Sequence, residues 1–166
     1  VHVLDPDPEA PCATRADKFL AAPLSDVQAA LRLTEGCDVV TIETEHVSAD
    51  VLEALAKTRV VRPGASVLRN INDRLAQRKF LAAHGLPQPA WAAVDDFASL
   101  ESGLAKVGAP AILKTRKGGY DGKGQVRIKT VAEAKAAWAK QPHPAVLEAF
   151  VPFDAELSVV LARSPD

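Results

Sequence analysis

The residues Lys117–Gln125 have the composition of an anion-binding loop. This run holds four of the nine glycines in the chain, whereas a hairpin turn needs only one or two. Backbone amides without side chains can approach anionic oxygens closely and hold them. Positive charge is concentrated here, on Lys114, Arg116, Lys117 and Lys123. The pattern predicts a loop that holds a nucleotide phosphate; a solvated hairpin tip is the alternative.

Charged residues also stand at the ends of expected strands. Lys114 closes the apolar run Ala111–Leu113, where it is either a solvated strand-end charge or a phosphate ligand. Glu148 closes a later strand, and Glu156 follows eight residues further on. Backbone groups after Glu148 could meet an adenine edge, and a carboxylate can accept hydrogen bonds from two ribose hydroxyls. These residue types favour a nucleotide site.

The overall composition excludes several classes of partner. The net charge is −1, so there is no global electrostatic case for binding nucleic acid or an anionic membrane. No apolar run approaches the ~20 residues of a membrane span. Cys12 and Cys37 are too few for a structural zinc site and indicate free thiols in a reducing compartment, which predicts a cytoplasmic protein. No signal peptide is evident, and both ends read as cut from a longer protein.

The first half alternates strands with helices, which predicts an α/β fold with a parallel sheet. Asp5 and Glu43 follow strands of this sheet, at the edge where such folds bind ligands; Glu43 is therefore a candidate substrate contact. The expected strands are Val1–Leu4, Asp38–Ile42 and Arg59–Val61. The expected helices are Asp26–Thr34 capped by Ser25, Ala49–Lys57 capped by Ser48, and one long helix over Ser66–Ala83.

The second half predicts an α+β unit with an antiparallel sheet. Its expected strands are Trp91–Val94, Ala111–Lys114, Val126–Ile128, Pro144–Glu148 and Glu156–Arg163. Its expected helices are Phe97–Val107, capped by Asp96, and Val131–Lys140, capped by Thr130. The proline-rich link Leu86–Ala90 separates the halves, so we expect one domain over residues 1–86 and a second over residues 87–166.

Several motifs together resemble a known family. They are Lys114-Thr-Arg-Lys-Gly-Gly-Tyr-Asp-Gly-Lys-Gly-Gln, Leu-Glu148-Ala-Phe-Val-Pro-Phe, Glu156-Leu-Ser, Asn72-Asp-Arg-Leu, and the segments Leu4–Pro11 and Asp38–Val47. The chain resembles the ATP-grasp ligases over nearly its whole length, and among them the 5-(carboxyamino)imidazole ribonucleotide synthases of purine biosynthesis. This resemblance implies a truncated parallel-sheet pre-ATP-grasp (Rossmann-like) domain, followed by the α+β small lobe of an ATP-grasp domain.

The resemblance also implies a reaction. ATP would phosphorylate bicarbonate to carboxyphosphate, and the amine of 5-aminoimidazole ribonucleotide would take the carboxyl group. By matching position, the resemblance implies that Arg74 and Lys114 contact the ATP phosphates. It implies catalytic roles for Lys114, Tyr120 and Asp121. The implied phosphate lid is Gly119, Tyr120, Asp121, Gly122, Lys123, Gly124 and Gln125. The residues implied to contact adenine are Glu148, Ala149, Phe150 and Val151. Glu156 is implied to contact the ribose, and Tyr120 and Asp121 the imidazole substrate.

The resemblance departs from the family pattern at both ends. The glycine turn expected before Val1 and the magnesium-binding residues expected after Asp166 are absent, so Mg²⁺ is an implied cofactor without ligands here. The implied whole protein is a homodimer, and the chain alone is expected to be inactive. Alternatives are another ATP-grasp ligase, such as a formate-using glycinamide ribonucleotide transformylase or a biotin carboxylase, and a non-catalytic nucleotide-binding module.

Overall fold

The computed structural model describes residues 1–118 and 124–162. By contacts the chain divides into two compact units. The first contains residues 1–86 together with 116–118, and the second contains residues 87–115 and 119–166. In the described residues, no helix is long and apolar enough to cross a membrane.

Parallel strand pairs and short helices build the first unit. Strand β1 pairs in parallel with β2, and β3 pairs in parallel with β4, as the alternation of strands and helices predicts. Helix α2 buries Leu52 and Leu55, which pack with Leu68 of α3 and Val61 of β4 in one apolar cluster. The elements are β1 (His2–Asp5), β2 (Lys18–Ala21), α1 (Val27–Leu33), β3 (Val39–Val40), α2 (Ala49–Ala56), β4 (Val60–Val61), α3 (Ala65–Ile71) and α4 (Arg74–Ala83).

Two helix expectations for the first unit are wrong. Asp26, and not Ser25, caps α1, because its carboxylate accepts the Ala29 amide. The long helix expected over Ser66–Ala83 is two helices, since Asp73 has extended backbone (φ −130°, ψ 110°) and caps α4. Aspartate favours this position because its side chain satisfies amides that a helix start leaves unpaired.

A four-stranded antiparallel sheet and two helices form the second unit. The strand order is β5-β8-β6-β7, so β6 and β8 are central. One face of the sheet packs on α5 and α6, and its residues Leu113, Leu147 and Val94 are fully buried. The elements are β5 (Trp91–Val94), α5 (Phe97–Val107), β6 (Ala111–Thr115), β7 (Gln125–Ile128), a 3₁₀ turn (Val131–Glu133), α6 (Ala134–Lys140) and β8 (Ala145–Ala149).

The expected fifth strand of this unit, over Glu156–Arg163, is absent from its described part. Residues 156–162 have neither helix nor strand, and Leu157, Val160 and Leu161 are 87–94% exposed. A strand requires a partner that completes its ladder of hydrogen bonds, and no described segment pairs with this one. The helix expected over Val131–Lys140 also begins later, since its first turn is 3₁₀.

Candidate functional site

Lys114 and Glu148 meet on the face of the sheet that points away from α5 and α6. The register pairs Lys114 with Val146 and Ile112 with Glu148, so the lysine and the glutamate are diagonal neighbours on one face. The Lys114 ammonium donates to a Glu148 carboxylate oxygen at 2.8 Å. The fold therefore joins two residues that the sequence separates by 34 positions.

The pair is well shielded from solvent. The Glu148 side chain is 4% exposed and the Lys114 side chain 23% exposed. Burial of an unpaired carboxylate is costly, and the ammonium compensates it. Lysine has three donors, and its partial exposure leaves the ammonium within reach of an anionic ligand. Lys114 can therefore donate a hydrogen bond to a phosphate oxygen, while the Glu148 carboxylate beside it can accept one from a ligand.

Further polar side chains share this sheet face. Gln125 lies opposite Lys114 in the register of β6 and β7 and is exposed. Arg127, opposite Ile112, places its guanidinium 4.1 Å from the centre of the Phe150 ring. A cation over an aromatic face is attractive, so Arg127 steadies Phe150 directly after β8.

The loop predicted to bind phosphate is described only at its margins. Gly118 and Gly124 have positive φ values of 69° and 73°, which glycine adopts without strain. The Gly124 carbonyl accepts the Thr115 amide at 2.9 Å. The predicted roles of Gly119, Tyr120, Asp121, Gly122 and Lys123 lie outside the described residues.

The predicted adenine and ribose contacts follow β8. Ala149 is its last residue; its amide donates to Ala90, and the Phe150 amide donates to Pro110. Val151 is 46% exposed, and Glu156 is exposed and outside regular structure. The structure therefore brings Lys114, Gln125 and Glu148 together but gives Glu156 no place in that group.

In the first unit, the predicted residues Arg74 and Glu43 lie on separate elements. Arg74 begins α4, and its guanidinium donates to the Gly118 carbonyl at 3.2 Å. Glu43 is exposed in the loop after β3. The carbonyl of Glu45, two residues on, accepts from the Asn72 side chain at 2.8 Å, which ties this loop to the end of α3.

Sequence reasoning missed the ion pair between Asp73 and Arg116. The guanidinium of Arg116 donates to both carboxylate oxygens of Asp73, at 3.1 and 2.5 Å. The Asn72-Asp73 pair ahead of a helical pattern is a start signal that could have shown the cap. The contact with Arg116 has no such local signal, because 43 residues separate the two partners.

The described chain has no cluster of metal-binding side chains, and a cavity in it lies away from Lys114 and Glu148. Residues 1–118 and 124–162 contain no group of three or more His, Cys, Asp or Glu side chains that could hold a metal ion. An open cavity of about 460 Å³ lies along the edge strand β5, lined in part by Pro89, Trp91 and Lys106. Neither Lys114 nor Glu148 lines it.

Both halves of the chain match models of known domain families. Residues 1–72 match the ribonucleotide synthetase preATP-grasp domain, and residues 79–166 match the ATP-grasp domain. The chain belongs to the ATP-grasp family. The expected fold class, a parallel pre-ATP-grasp domain followed by the start of an ATP-grasp domain, is confirmed.

Several of the proteins that this chain resembles are N5-carboxyaminoimidazole ribonucleotide synthases. The N5-carboxyaminoimidazole ribonucleotide synthase of Synechococcus elongatus is 37% identical over 99% of this chain. The crystal structure of the Thermus thermophilus synthetase is 38% identical, with a TM-score of 0.79 over 91% of this chain. The Aspergillus clavatus synthase, solved with ADP and 5-aminoimidazole ribonucleotide, is 26% identical with a TM-score of 0.79 over 93%. These relatives confirm the resemblance.

The chain is much shorter than these relatives. It spans 42% of the Synechococcus protein, 40% of the Thermus chain and 41% of the Aspergillus chain. The shared part is therefore the first domain and the beginning of the ATP-grasp domain.

Proposed function

We propose that this chain is part of an ATP-dependent ligase that carboxylates 5-aminoimidazole ribonucleotide in purine biosynthesis. The observation that carries the proposal is the similarity to N5-carboxyaminoimidazole ribonucleotide synthases along nearly all of the chain. ATP phosphorylates bicarbonate, the carboxyphosphate carboxylates the exocyclic amine, and ADP and phosphate are released. The product is 5-(carboxyamino)imidazole ribonucleotide.

The described residues have specific parts in this proposal. Lys114 binds a phosphate oxygen of ATP and stabilises the negative charge that develops during phosphoryl transfer. Its approach to the phosphate weakens the contact with Glu148, whose oxygens then turn to the adenine amino group. Gln125 lies beside Lys114 in the sheet and adds a neutral donor for the phosphates. Carboxyphosphate hydrolyses readily, so the proposal requires this site to close against water during the reaction.

The remaining roles extend the same proposal. Ala149, Phe150 and Val151 offer backbone groups to adenine, and Glu156 binds ribose. Arg74 binds ATP phosphate. Glu43 contacts the imidazole substrate. The phosphates are also held by residues of the glycine-rich segment, namely Gly119, Gly122, Lys123 and Gly124. Tyr120 and Asp121 lie next to the imidazole ribonucleotide.

The proposal also covers the setting of the reaction. We assign residues 1–86 to the pre-ATP-grasp domain with its inter-domain helix and residues 87–166 to the ATP-grasp lobe. Mg²⁺ is expected to bind through residues outside this chain, and the whole protein is expected to be a homodimer. The free thiols Cys12 and Cys37 accord with the cytoplasm.

The test measures carboxylation by the intact protein. ADP release and incorporation of labelled bicarbonate are followed with ATP and Mg²⁺, in the presence and absence of 5-aminoimidazole ribonucleotide. We expect both signals to require the imidazole substrate. ADP release that ignores this substrate would indicate an ATP-grasp ligase with another acceptor. Binding of ATP without any turnover would indicate a nucleotide-binding module instead.

A further inference from the structure

Asp73 has two structural tasks at once. As the N-cap of α4, its Oδ1 accepts the amides of Leu75 at 2.9 Å and Ala76 at 3.4 Å. The same carboxylate receives the guanidinium of Arg116 through two hydrogen bonds. A planar guanidinium matches a carboxylate in this paired geometry, which restricts orientation as well as distance.

The contact is sheltered. The side chain of Asp73 is 13% exposed and that of Arg116 is 31% exposed. Burial raises the pKa of Asp73, but the hydrogen bonds from Arg116, Leu75 and Ala76 together outweigh burial, so the pKa lies below its usual 3.8. The carboxylate is therefore ionised at neutral pH, which is the state that pairs with Arg116.

Backbone contacts reinforce the attachment. The Arg74 amide donates to the Arg116 carbonyl at 2.9 Å, and the Arg74 guanidinium donates to the Gly118 carbonyl at 3.2 Å. Two consecutive residues, Asp73 and Arg74, thus hold both ends of the tripeptide Arg116–Gly118. That tripeptide groups with the first unit, although it directly follows β6 in sequence.

We propose that Asp73 is a positioning residue for ATP, acting through Arg116. In the sequence, Arg116–Gly118 directly follows Lys114-Thr115 and directly precedes the glycine-rich residues, so it joins two parts of the proposed phosphate-binding segment. Asp73 holds the tripeptide in place before nucleotide arrives, which lowers the ordering cost of binding. This inference rests on the proposed function, because it assigns the segment an ATP-binding role.

The deciding variant is Asp73→Asn in the intact protein. Asparagine is as good an N-cap as aspartate, so helix α4 keeps its cap while the charged two-bond contact with Arg116 is lost. We expect the KM for ATP to rise roughly tenfold, the loss that corresponds to a charge-assisted contact. The kcat and the KM for 5-aminoimidazole ribonucleotide should change less than twofold.

Asp96→Asn is the matched control. Asp96 also caps a helix, α5, where its carboxylate accepts the Ser99 amide at 2.7 Å, but the hydrogen bonds described for it include none from an arginine. We expect this variant to leave all three constants within twofold of the wild-type values. A purely structural role for Asp73 would instead alter kcat and both KM values together, and that result would overturn the inference.

Two further measurements separate this inference from the proposed function. Hydrogen exchange at the Arg74 amide should accelerate in Asp73→Asn without any ligand, and calorimetric titration should show ADP binding roughly tenfold more weakly. If the wild type binds ADP but has no imidazole-dependent turnover, the proposed function fails and these two results decide the inference. Unchanged exchange and ADP affinity, or a wild type that binds no ADP, overturn it.

Discussion

Two ion pairs in this chain, Lys114–Glu148 and Arg116–Asp73, differ in the number and kind of hydrogen bonds that hold them. Lys114 and Glu148 meet across two central strands through one hydrogen bond between a flexible ammonium and a nearly buried carboxylate. Arg116 and Asp73 meet at a helix start, where two hydrogen bonds and two backbone amides saturate the carboxylate.

The difference indicates which pair can exchange partners. A lysine with three rotatable donors can turn from Glu148 to a phosphate without dismantling an element. Asp73 cannot release Arg116 so freely, because its carboxylate also caps α4 and its neighbour Arg74 holds the Arg116 carbonyl. We therefore interpret Lys114–Glu148 as the ligand-responsive pair and Asp73–Arg116 as the scaffold.

The largest expected effect tests the ligand-responsive pair. Lys114→Met keeps much of the side-chain volume but removes the charge, so we expect ATP-dependent turnover of the intact protein to fall by about 100-fold or more. Lys129→Met, at an exposed position after β7, is the control and should retain activity. Near-normal turnover in Lys114→Met would remove Lys114 from the phosphate site and leave its pair with Glu148 purely structural.

The next effect concerns stability and comes from Glu148→Gln. The amide keeps the shape but replaces a charged acceptor by a weaker one, so we expect a loss of about 1–3 kcal/mol in the free energy of unfolding. Urea unfolding measures this loss. Glu101→Gln, on the exposed surface of α5, should change the stability by less than about 0.5 kcal/mol. Equal effects at the two sites would mean that the buried pair contributes nothing.

A smaller effect is expected from Gly118→Ala, beside the scaffold pair, because the Gly118 carbonyl accepts from the Arg74 guanidinium. Gly118 has φ 69°, and a Cβ built there would meet no atom of the described residues, so alanine would cause no clash with them but would adopt a strained backbone. The cost is about 1 kcal/mol. Gly118→Asn is the comparison, since asparagine tolerates this conformation better. Thermal unfolding should rank the wild type first, Asn second and Ala last; an alanine variant as stable as the wild type would contradict the backbone geometry.

The smallest expected effect is on acid stability and again concerns Asp73. Its pKa is lower in the folded chain than the usual 3.8, because the hydrogen bonds outweigh the burial that raises it. Its contribution to stability is therefore complete above about pH 3.8 and is lost as the pH falls through the folded-state pKa.

The measurement is the difference in unfolding free energy between wild type and Asp73→Asn as a function of pH. It should be constant near neutrality and shrink below about pH 3.8. Asp38→Asn, at an exposed position after α1, serves as the control for a general effect of removing one carboxylate. A difference that grows on acidification would show that the pKa of Asp73 is raised and not lowered.

Much of the fold follows from local pattern. Ser48 and Asp96 ahead of apolar helical periodicity correctly locate the starts of α2 and α5. The antiparallel sheet is predicted from the strand-like runs on both sides of the glycine-rich residues, and the family from the resemblance of the motifs. Two errors concern helix starts. Asp26 caps α1 where Ser25 was expected to do so, and Asp73 starts a new helix where one helix was expected to continue.

The candidate site is less predictable than the fold. The motifs identify Lys114 and Glu148 as candidate site residues, but the sequence does not show that they form an ion pair, and it predicts them as separate charges at strand ends. The strand expected at Glu156 fails because β propensity alone forms no strand without a pairing partner. The contact between Arg116 and Asp73 was not predicted because no local sequence pattern around either residue indicates a partner 43 positions away.

The sequence by itself determined the alternation of strands and helices and, through the resemblance of its motifs, the family. It also predicted the candidate nucleotide-binding residues, because all of these depend on residue type and order along the chain. Only the tertiary structure decided that Glu148 neutralises Lys114 and that Asp73 holds Arg116. Those choices depend on strand register and on which backbone amides a carboxylate can reach. Each of the two ion pairs joins residues more than 30 positions apart, and local propensity carries no information about such contacts.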